Sequence, residues 1–164
     1  MDKTHIIDAI IEAVTAARDK TVLAAIQARA TAVDKENIAE NMYDTLGLEA
    51  AYLAHGQSER AVTLEKELNA ILALRDAQIK STRRDPETIG LGSLVQLEDE
   101  SGLVNFVFLA PASGGLKVTI DGIRITVVTP ESPLGAALMH PDALDEVLLT
   151  LQGKTTCHTI IHSS

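Results

Sequence analysis

The chain has 164 residues, enough for one ordinary domain or two small ones, and its 46% hydrophobic residues can form a core. Aromatic residues make up only 2% and the formal net charge is −9, so base stacking on single strands and sequence-specific DNA binding are both disfavoured. The single cysteine, Cys157, excludes an intrachain disulfide, and residues 1–8 lack the apolar segment of a signal peptide. No apolar run approaches the ~20 residues that span a bilayer. We therefore expect a soluble, cytoplasmic protein without a membrane partner.

The proline and glycine content of the chain changes near residue 80. The first half contains no proline and two of the ten glycines, whereas the second half contains all five prolines and the other eight glycines. Helix interiors exclude these residues and turns use them. The composition predicts helices in residues 1–79, a linker over 80–92 and a strand-rich domain over 93–164.

Two apolar stripes in the first half recur at alternating steps of three and four residues, which is typical of one helix face. Residues 33–45 separate them and are rich in groups that cap or interrupt helices. The simplest arrangement is an antiparallel hairpin of two long helices with an a/d seam, although a compact helical bundle or a dimer seam has the same periodicity. The stripes are Ile7, Ile10, Val14, Ala17, Thr21, Ala24 and Ala28, then Leu46, Ala50, Leu53, Gln57, Ala61, Leu64, Leu68 and Ile71.

The second half alternates apolar and polar residues between turn signals. Asp121-Gly122 is a strong hairpin dipeptide. A short helix is predicted from Ser132 to Met139, with Ser132 as N-cap and Pro133 at the first helical position. The predicted strands surround this helix and form a small antiparallel sheet, so the fold class is α+β. They lie at 94–97, 104–109, 116–120, 123–128, 147–151 and 155–162.

The segment 132–139, which reads SPLGAALM, resembles the start of the short helix in the FKBP-like C-terminal domain of the Gre transcript-cleavage factor superfamily. A Gly-Asp pair usually follows in that family. Here Asp145 fits and Leu144 departs from the pattern, while His140 and Pro141 stand where the family prefers glycine and a basic residue.

The resemblance extends to the helical half. The family's hairpin tip carries an Asp, a Glu three residues later, then Asn and a nearby Tyr. Glu40-Asn41 followed by Tyr43 is similar to the later part of that motif, and residues 64–68, LEKEL, resemble the family's second helix.

This resemblance implies a transcription elongation factor that binds bacterial RNA polymerase and inserts its hairpin in the secondary channel. The tip acids Asp34, Glu36 and Glu40 then become candidates for stimulating transcript cleavage by the polymerase. Glu36 and Glu40 would share a Mg²⁺ ion with the polymerase, because Mg²⁺ prefers carboxylate and water oxygens. Such a chain is not an enzyme by itself and binds no cofactor on its own.

The resemblance also implies that the C-terminal domain docks on the polymerase near Ser132, Pro133 and Leu134. For Leu134 and Leu138, the residue pattern favours core positions instead.

The tip departs from the family pattern. With Glu40-Asn41 aligned, the position three residues earlier is Asn37, and with Glu36-Asn37 aligned it is Val33. Neither alignment supplies both carboxylates. The acids, with Asp44 before the second helix, therefore also fit simple capping of a positive helix N-terminus, or a tip that contacts polymerase without metal.

Three further functions stay open. A regulator that occupies the channel without cleavage fits the broken tip motif. A peptidyl-prolyl isomerase is disfavoured, because only Phe106 and Phe108 supply aromatic rings in the domain. A coiled-coil interaction protein fits the helical half, and we expect a monomer or a weak homo-oligomer.

Overall fold

The structure is a computed structural model that describes residues 2–33, 46–80, 89–140, 146–151 and 154–164. Two long helices precede a sheet domain with one short helix, which confirms the α+β class. No helix in these ranges is long and apolar enough to cross a bilayer. The elements are α1 (Lys3–Val33), α2 (Leu46–Lys80), β1 (Leu94–Asp99), β2 (Val104–Leu109), β3 (Lys117–Ile120), β4 (Ile123–Val128), α3 (Pro133–Leu138), β5 (Glu146–Leu151) and β6 (Lys154–Ser163).

The chain forms two compact units. One comprises Met1–Ile11 and Asn69–Ser164, and the other comprises Glu12–Leu68. We refer to them as the sheet unit and the hairpin unit. The sheet unit therefore includes the first residues of α1 and the last residues of α2.

The two long helices are antiparallel, as the hairpin prediction requires. Arg75 Nε lies 3.0 Å from Asp8 Oδ1 in the sheet unit, and Arg18 Nη1 lies 3.0 Å from Glu65 Oε2 in the hairpin unit. Within the hairpin unit, Ala28 and Thr31 line one cavity with Ala50 and Leu53, so residues later in α1 than Arg18 face residues earlier in α2 than Glu65. With 31 and 35 residues, the helices are about 46 and 52 Å long at 1.5 Å per residue.

The seam between the helices differs in the two units. Large side chains fill it near the sheet, where Ile7, Ile10 and Ile71 are fully buried. Further along the hairpin the buried seam residues include Ala28 and Ala50, and the small side chains leave a shallow cavity of about 260 Å³ beside Leu53. Leu53 is 56% exposed and Ala17 is exposed, so the predicted stripe was wrong at these two positions. A periodic pattern marks a face, but burial also requires enough side-chain volume on the opposite helix.

The six strands form one sheet in the order β3-β4-β2-β1-β6-β5. The prediction of a wholly antiparallel sheet was wrong at one pair, because β2 and β4 are parallel. The Asp121-Gly122 turn folds β3 back on β4 in the expected hairpin, and both residues have positive φ, 51° and 80°, as a tight hairpin turn demands. The connection from β2 places β3 on the outer edge, so β4 returns beside β2 in the same direction. Local hairpin signals do not specify this long-range order.

One face of the sheet is covered by α3. Leu138 packs there with Val95, Leu97, Val107 and Leu109. The register places Phe108 and Val127 beside each other with their side chains on the other face, and both are fully buried.

The end of α2 is tied to the start of the sheet. Gln78 Nε2 donates a hydrogen bond to the carbonyl oxygen of Gly92 at 3.2 Å, and Gly92 N donates to Leu109 O at 2.7 Å. Ile89 packs against the core cluster of the α3 face. The last residues of the predicted linker are therefore part of the sheet unit, while residues 81–88 lie outside the described ranges.

Candidate functional site

The predicted tip acids fall between the two long helices. Asp34, Glu36 and Glu40 follow the end of α1 at Val33 and precede the start of α2 at Leu46, and they lie outside the described residues. Glu49 is the acid of the first turn of α2, where a negative charge favours the positive helix N-terminus. The roles of the Asp34, Glu36 and Glu40 carboxylates stay predictions.

The described part of the chain contains no group of three or more His, Cys, Asp or Glu side chains arranged to hold a metal ion. On β6, His158 Nε2 lies 3.3 Å from Thr156 Oγ1, and Cys157 N donates to Glu100 Oε1 at 3.1 Å. The second contact links β6 to the β1–β2 turn.

The predicted docking segment begins with a helix cap. Ser132 Oγ accepts a hydrogen bond from Gly135 N at 3.0 Å and donates one to Thr129 O at 2.7 Å. Both hydrogen-bonding roles of the hydroxyl are thereby used inside the domain. Ser132 therefore shapes the segment, because its cap starts α3 at Pro133.

The next two residues of the docking prediction have different environments. Pro133 is exposed, whereas Leu134 is partly buried and packs against the core cluster of the α3 face. Leu138 is 1% exposed, which confirms the core interpretation of that position. Of the three predicted docking residues, Pro133 alone is exposed.

The outward face of α3 contains two further candidates that the sequence reasoning missed. Ala136 is exposed and Met139 is 41% exposed, at three and six residues after Pro133. Steps of three residues place Ala136 next to Pro133 and Met139 next to Ala136 along the helix surface, and Met139 is the C-cap of α3. The three-residue spacing in the sequence could have identified both residues. Met139 has a flexible apolar side chain, which is suited to a protein contact.

Arg18 forms two ion pairs in the hairpin unit. Its guanidinium lies 2.8 Å from Asp19 Oδ1 and 3.0 Å from Glu65 Oε2. Hydrogen bonds to Asp19 and then to Glu65 raise the pKa of Arg18 above its ordinary value. This charge network joins α1 to α2 about midway along both helices.

A second polar cluster closes the β1–β2 turn. Asp99 Oδ1 accepts hydrogen bonds from Ser101 N at 2.9 Å and Leu103 N at 3.0 Å, and also from Ser101 Oγ. The bond from the Ser101 side chain, followed by that from the Leu103 backbone, holds the pKa of Asp99 below its ordinary value. The Asp99 carboxylate thus stabilises the β1–β2 turn.

No protein-family model matches the chain, and no curated protein gives a significant match. Among solved structures, the GreA factor homolog 1 (Gfh1) of Thermus thermophilus is 20% identical, with 94% of each chain covered and a TM-score of 0.36. Gfh1 of Thermus aquaticus is also 20% identical, with 93% of this chain and 92% of that chain covered and a TM-score of 0.36. A third structure, described as the transcription factor Gfh1, is 20% identical, with coverage of 94% and 93% and a TM-score of 0.38. All three of these structures are of Gfh1.

Proposed function

We propose that this protein is a transcription factor that binds bacterial RNA polymerase and inserts its helical hairpin in the secondary channel. The observation that carries the proposal is a combination within one chain. Two antiparallel helices of 31 and 35 residues flank an acid-rich connection, and they precede a sheet domain whose capped α3 has the SPLGAALM sequence of the Gre-like segment.

The length of the helices supports an insertion role. Within the hairpin unit, residues 12–33 of α1 and 46–68 of α2 form a paired hairpin about 33 Å long, comparable with the depth of a small domain, which is about 30 Å. Its cross-section is that of two helices, each about 10 Å wide. Such an element can carry a few side chains deep into a cleft that a compact domain cannot enter.

The connection supplies the chemistry for assisted RNA cleavage. Glu36 and Glu40 would hold a Mg²⁺ ion together with the polymerase, and Asp34 would add negative charge beside them. The donor set fits, because carboxylate oxygens are hard ligands. A shared Mg²⁺ would supply an activated water for phosphodiester hydrolysis. The factor contributes part of a site and no complete active site of its own.

The second candidate function is occupation of the channel without cleavage. It is favoured by one specific observation: the position three residues before Glu40 is Asn37, an uncharged amide, and the position three before Glu36 is Val33. An amide binds Mg²⁺ less strongly than a carboxylate, so the family's paired acids are not reproduced here.

The docking role is assigned to the exposed face of α3. Pro133, Ala136 and Met139 present a small apolar surface, while Ser132 and Leu134 support it from within the domain. We propose that this face contacts the polymerase, with the protein acting as a monomer in the cytoplasm.

The decisive experiment combines binding and cleavage with stalled polymerase complexes. Wild-type protein is compared with Glu36→Ala plus Glu40→Ala and with Glu59→Ala, an exposed acid on α2 that serves as the matched control. A cleavage factor shortens the transcript in the presence of Mg²⁺, the tip variant loses this activity, and the control keeps it.

Other outcomes decide between the two candidates. Binding without transcript shortening identifies the channel-occupying regulator. Shortening that survives the double tip substitution rules out a carboxylate-driven mechanism. Absence of any binding to polymerase overturns the proposed function as a whole.

A further inference from the structure

The hairpin unit has apolar side chains on its outer surfaces as well as along its seam. On α1, Leu23 is 60% exposed, Ile26 is 59% exposed and Val33 is more exposed still. On α2, the side chains of Leu48, Tyr52 and Val62 are each more than half exposed. We call the first set the α1 ridge and the second set the α2 ridge.

Helix geometry shows where the ridges point. Ile26, Leu48 and Val62 each come two residues before a buried seam residue, namely Ala28, Ala50 and Leu64. At 3.6 residues per turn, a step of two rotates a side chain by about 200° around the helix axis. Each ridge therefore faces away from the partner helix, and the α1 ridge and the α2 ridge lie on opposite sides of the hairpin.

The charge of this part of the hairpin is unlike that of the whole chain. Residues 20–33 and 46–62 contain three bases, Lys20, Arg29 and Arg60, and two acids, Glu49 and Glu59, in a chain of net charge −9. The nearly neutral shaft matches an apolar, weakly charged protein surface. It does not match a nucleic-acid groove, which strongly basic surfaces recognise.

The exposed area is large enough to matter for binding. At roughly 100 Å² of exposed apolar area per side chain, each ridge of three side chains offers about 300 Å². One partner in a stable interface buries ~800 Å², so each ridge can supply a substantial part of such an interface. Contiguous apolar patches of a few hundred Å² on a soluble protein are often functional.

A single second copy of the chain does not account for both ridges. Two copies packed through one ridge leave the opposite ridge in water. Contacts through both ridges would join copies head to tail into an open array. A cleft that encloses the hairpin from two sides buries both ridges at once.

We propose that the shaft of the hairpin is gripped on two opposite sides by the walls of an enclosing protein cleft, whose lining is apolar and weakly charged. This inference rests on the proposed function and deepens it, because it adds the α1 and α2 ridges to the α3 face as contributors to the binding energy and assigns no such contribution to the acids of the tip. The ridges then hold the hairpin in place, and the tip either assists transcript cleavage or blocks the channel.

The test measures the affinity of polymerase core enzyme for full-length variants. One variant carries Leu23→Gln with Ile26→Gln, and another carries Leu48→Gln with Tyr52→Gln. Leu103→Gln is the matched control, because Leu103 is an equally exposed leucine, at 59%, in the sheet unit. The corresponding double alanine variants repeat each test with a residue of high helix propensity, and circular dichroism verifies the helix content.

Each ridge variant should weaken binding at least tenfold, the control should stay within twofold, and the wild-type affinity should change little between low and high salt. Wild-type binding that persists in either ridge variant overturns the two-sided grip while leaving the proposed function intact. Failure of the wild-type protein to bind overturns both. If the wild-type protein then self-associates in sedimentation velocity, and the ridge substitutions abolish this self-association, the ridges bind a second copy of the chain.

Discussion

Gly135 in α3 lies directly against the backbone of Thr129, so that a Cβ atom added to Gly135 would overlap the Thr129 carbonyl oxygen. The same added atom would stand 3.0 Å from Ser132 Oγ. Gly135 N, Ser132 Oγ and Thr129 O are also joined by the hydrogen bonds of the helix cap, so the close approach and the cap depend on the same few atoms.

Gly135→Ala should therefore destabilise the protein. The backbone of Thr129 cannot rotate away as a side chain would, so α3 must shift from the sheet, at a cost of about 2 kcal/mol or more. Urea unfolding followed by circular dichroism measures the loss. The control is Ala136→Ser, at the exposed neighbouring position, and an unchanged midpoint for Gly135→Ala would contradict the close packing.

Ser132→Ala should lower the free energy of unfolding by about 1 kcal/mol, because Gly135 N loses its hydrogen-bond acceptor. Ser132→Thr should recover most of the loss, since its hydroxyl can accept the same bond. Pro133→Ala, at an exposed site, serves as the comparison. If Ser132→Ala impairs polymerase binding without any change in stability, the hydroxyl acts in docking and not as a cap.

The Arg18–Glu65 ion pair should help to set the register of the two helices. Arg18→Glu should lower the melting temperature by repulsion from Asp19 and Glu65, and adding Glu65→Arg should restore part of it. The loss should be smaller than that of Gly135→Ala and should shrink in 1 M NaCl, because exposed charges are screened. A double-mutant cycle with zero coupling would show that the pair contributes nothing.

Acid should loosen the β1–β2 turn through Asp99. Its pKa is lowered by the hydrogen bonds from Ser101 and Leu103, so the stabilisation is present above the ordinary Asp pKa of about 3.9 and is lost as the pH falls through the folded-state value. The stability difference between wild type and Asp99→Ala should therefore shrink below about pH 4. Urea midpoints across the acid range measure it, with Glu131→Ala as an exposed control; a constant difference would exclude this linkage.

Much of the architecture follows from local residue patterns. The absence of proline before residue 80 predicts the long helices, and Ser132-Pro133 predicts the start of α3. These features depend on neighbours within a few residues of one another. The Asp121-Gly122 turn is predicted for the same reason, since its two positive φ angles are a local demand.

Features that depend on distant contacts were harder to predict. The parallel pairing of β2 with β4 joins residues across an intervening strand, and no turn signal encodes it. Leu53 lies on the predicted seam yet is more than half exposed, because the facing α1 residues Ala28 and Thr31 are too small to cover it. The ridges were missed because a search for one apolar stripe per helix overlooks a second stripe on the opposite side.

Because α1 and α2 are antiparallel, the length of the hairpin can be changed by removing equal numbers of residues from both helices. In the hairpin unit Arg18 lies opposite Glu65, and Ala28 lines one cavity with Ala50, so the two helices stay paired along this unit. Removing seven residues from each helix would keep the a/d pattern and shorten the hairpin by about 10 Å. A series of variants with stepwise shorter hairpins can therefore measure the depth of a partner's cleft.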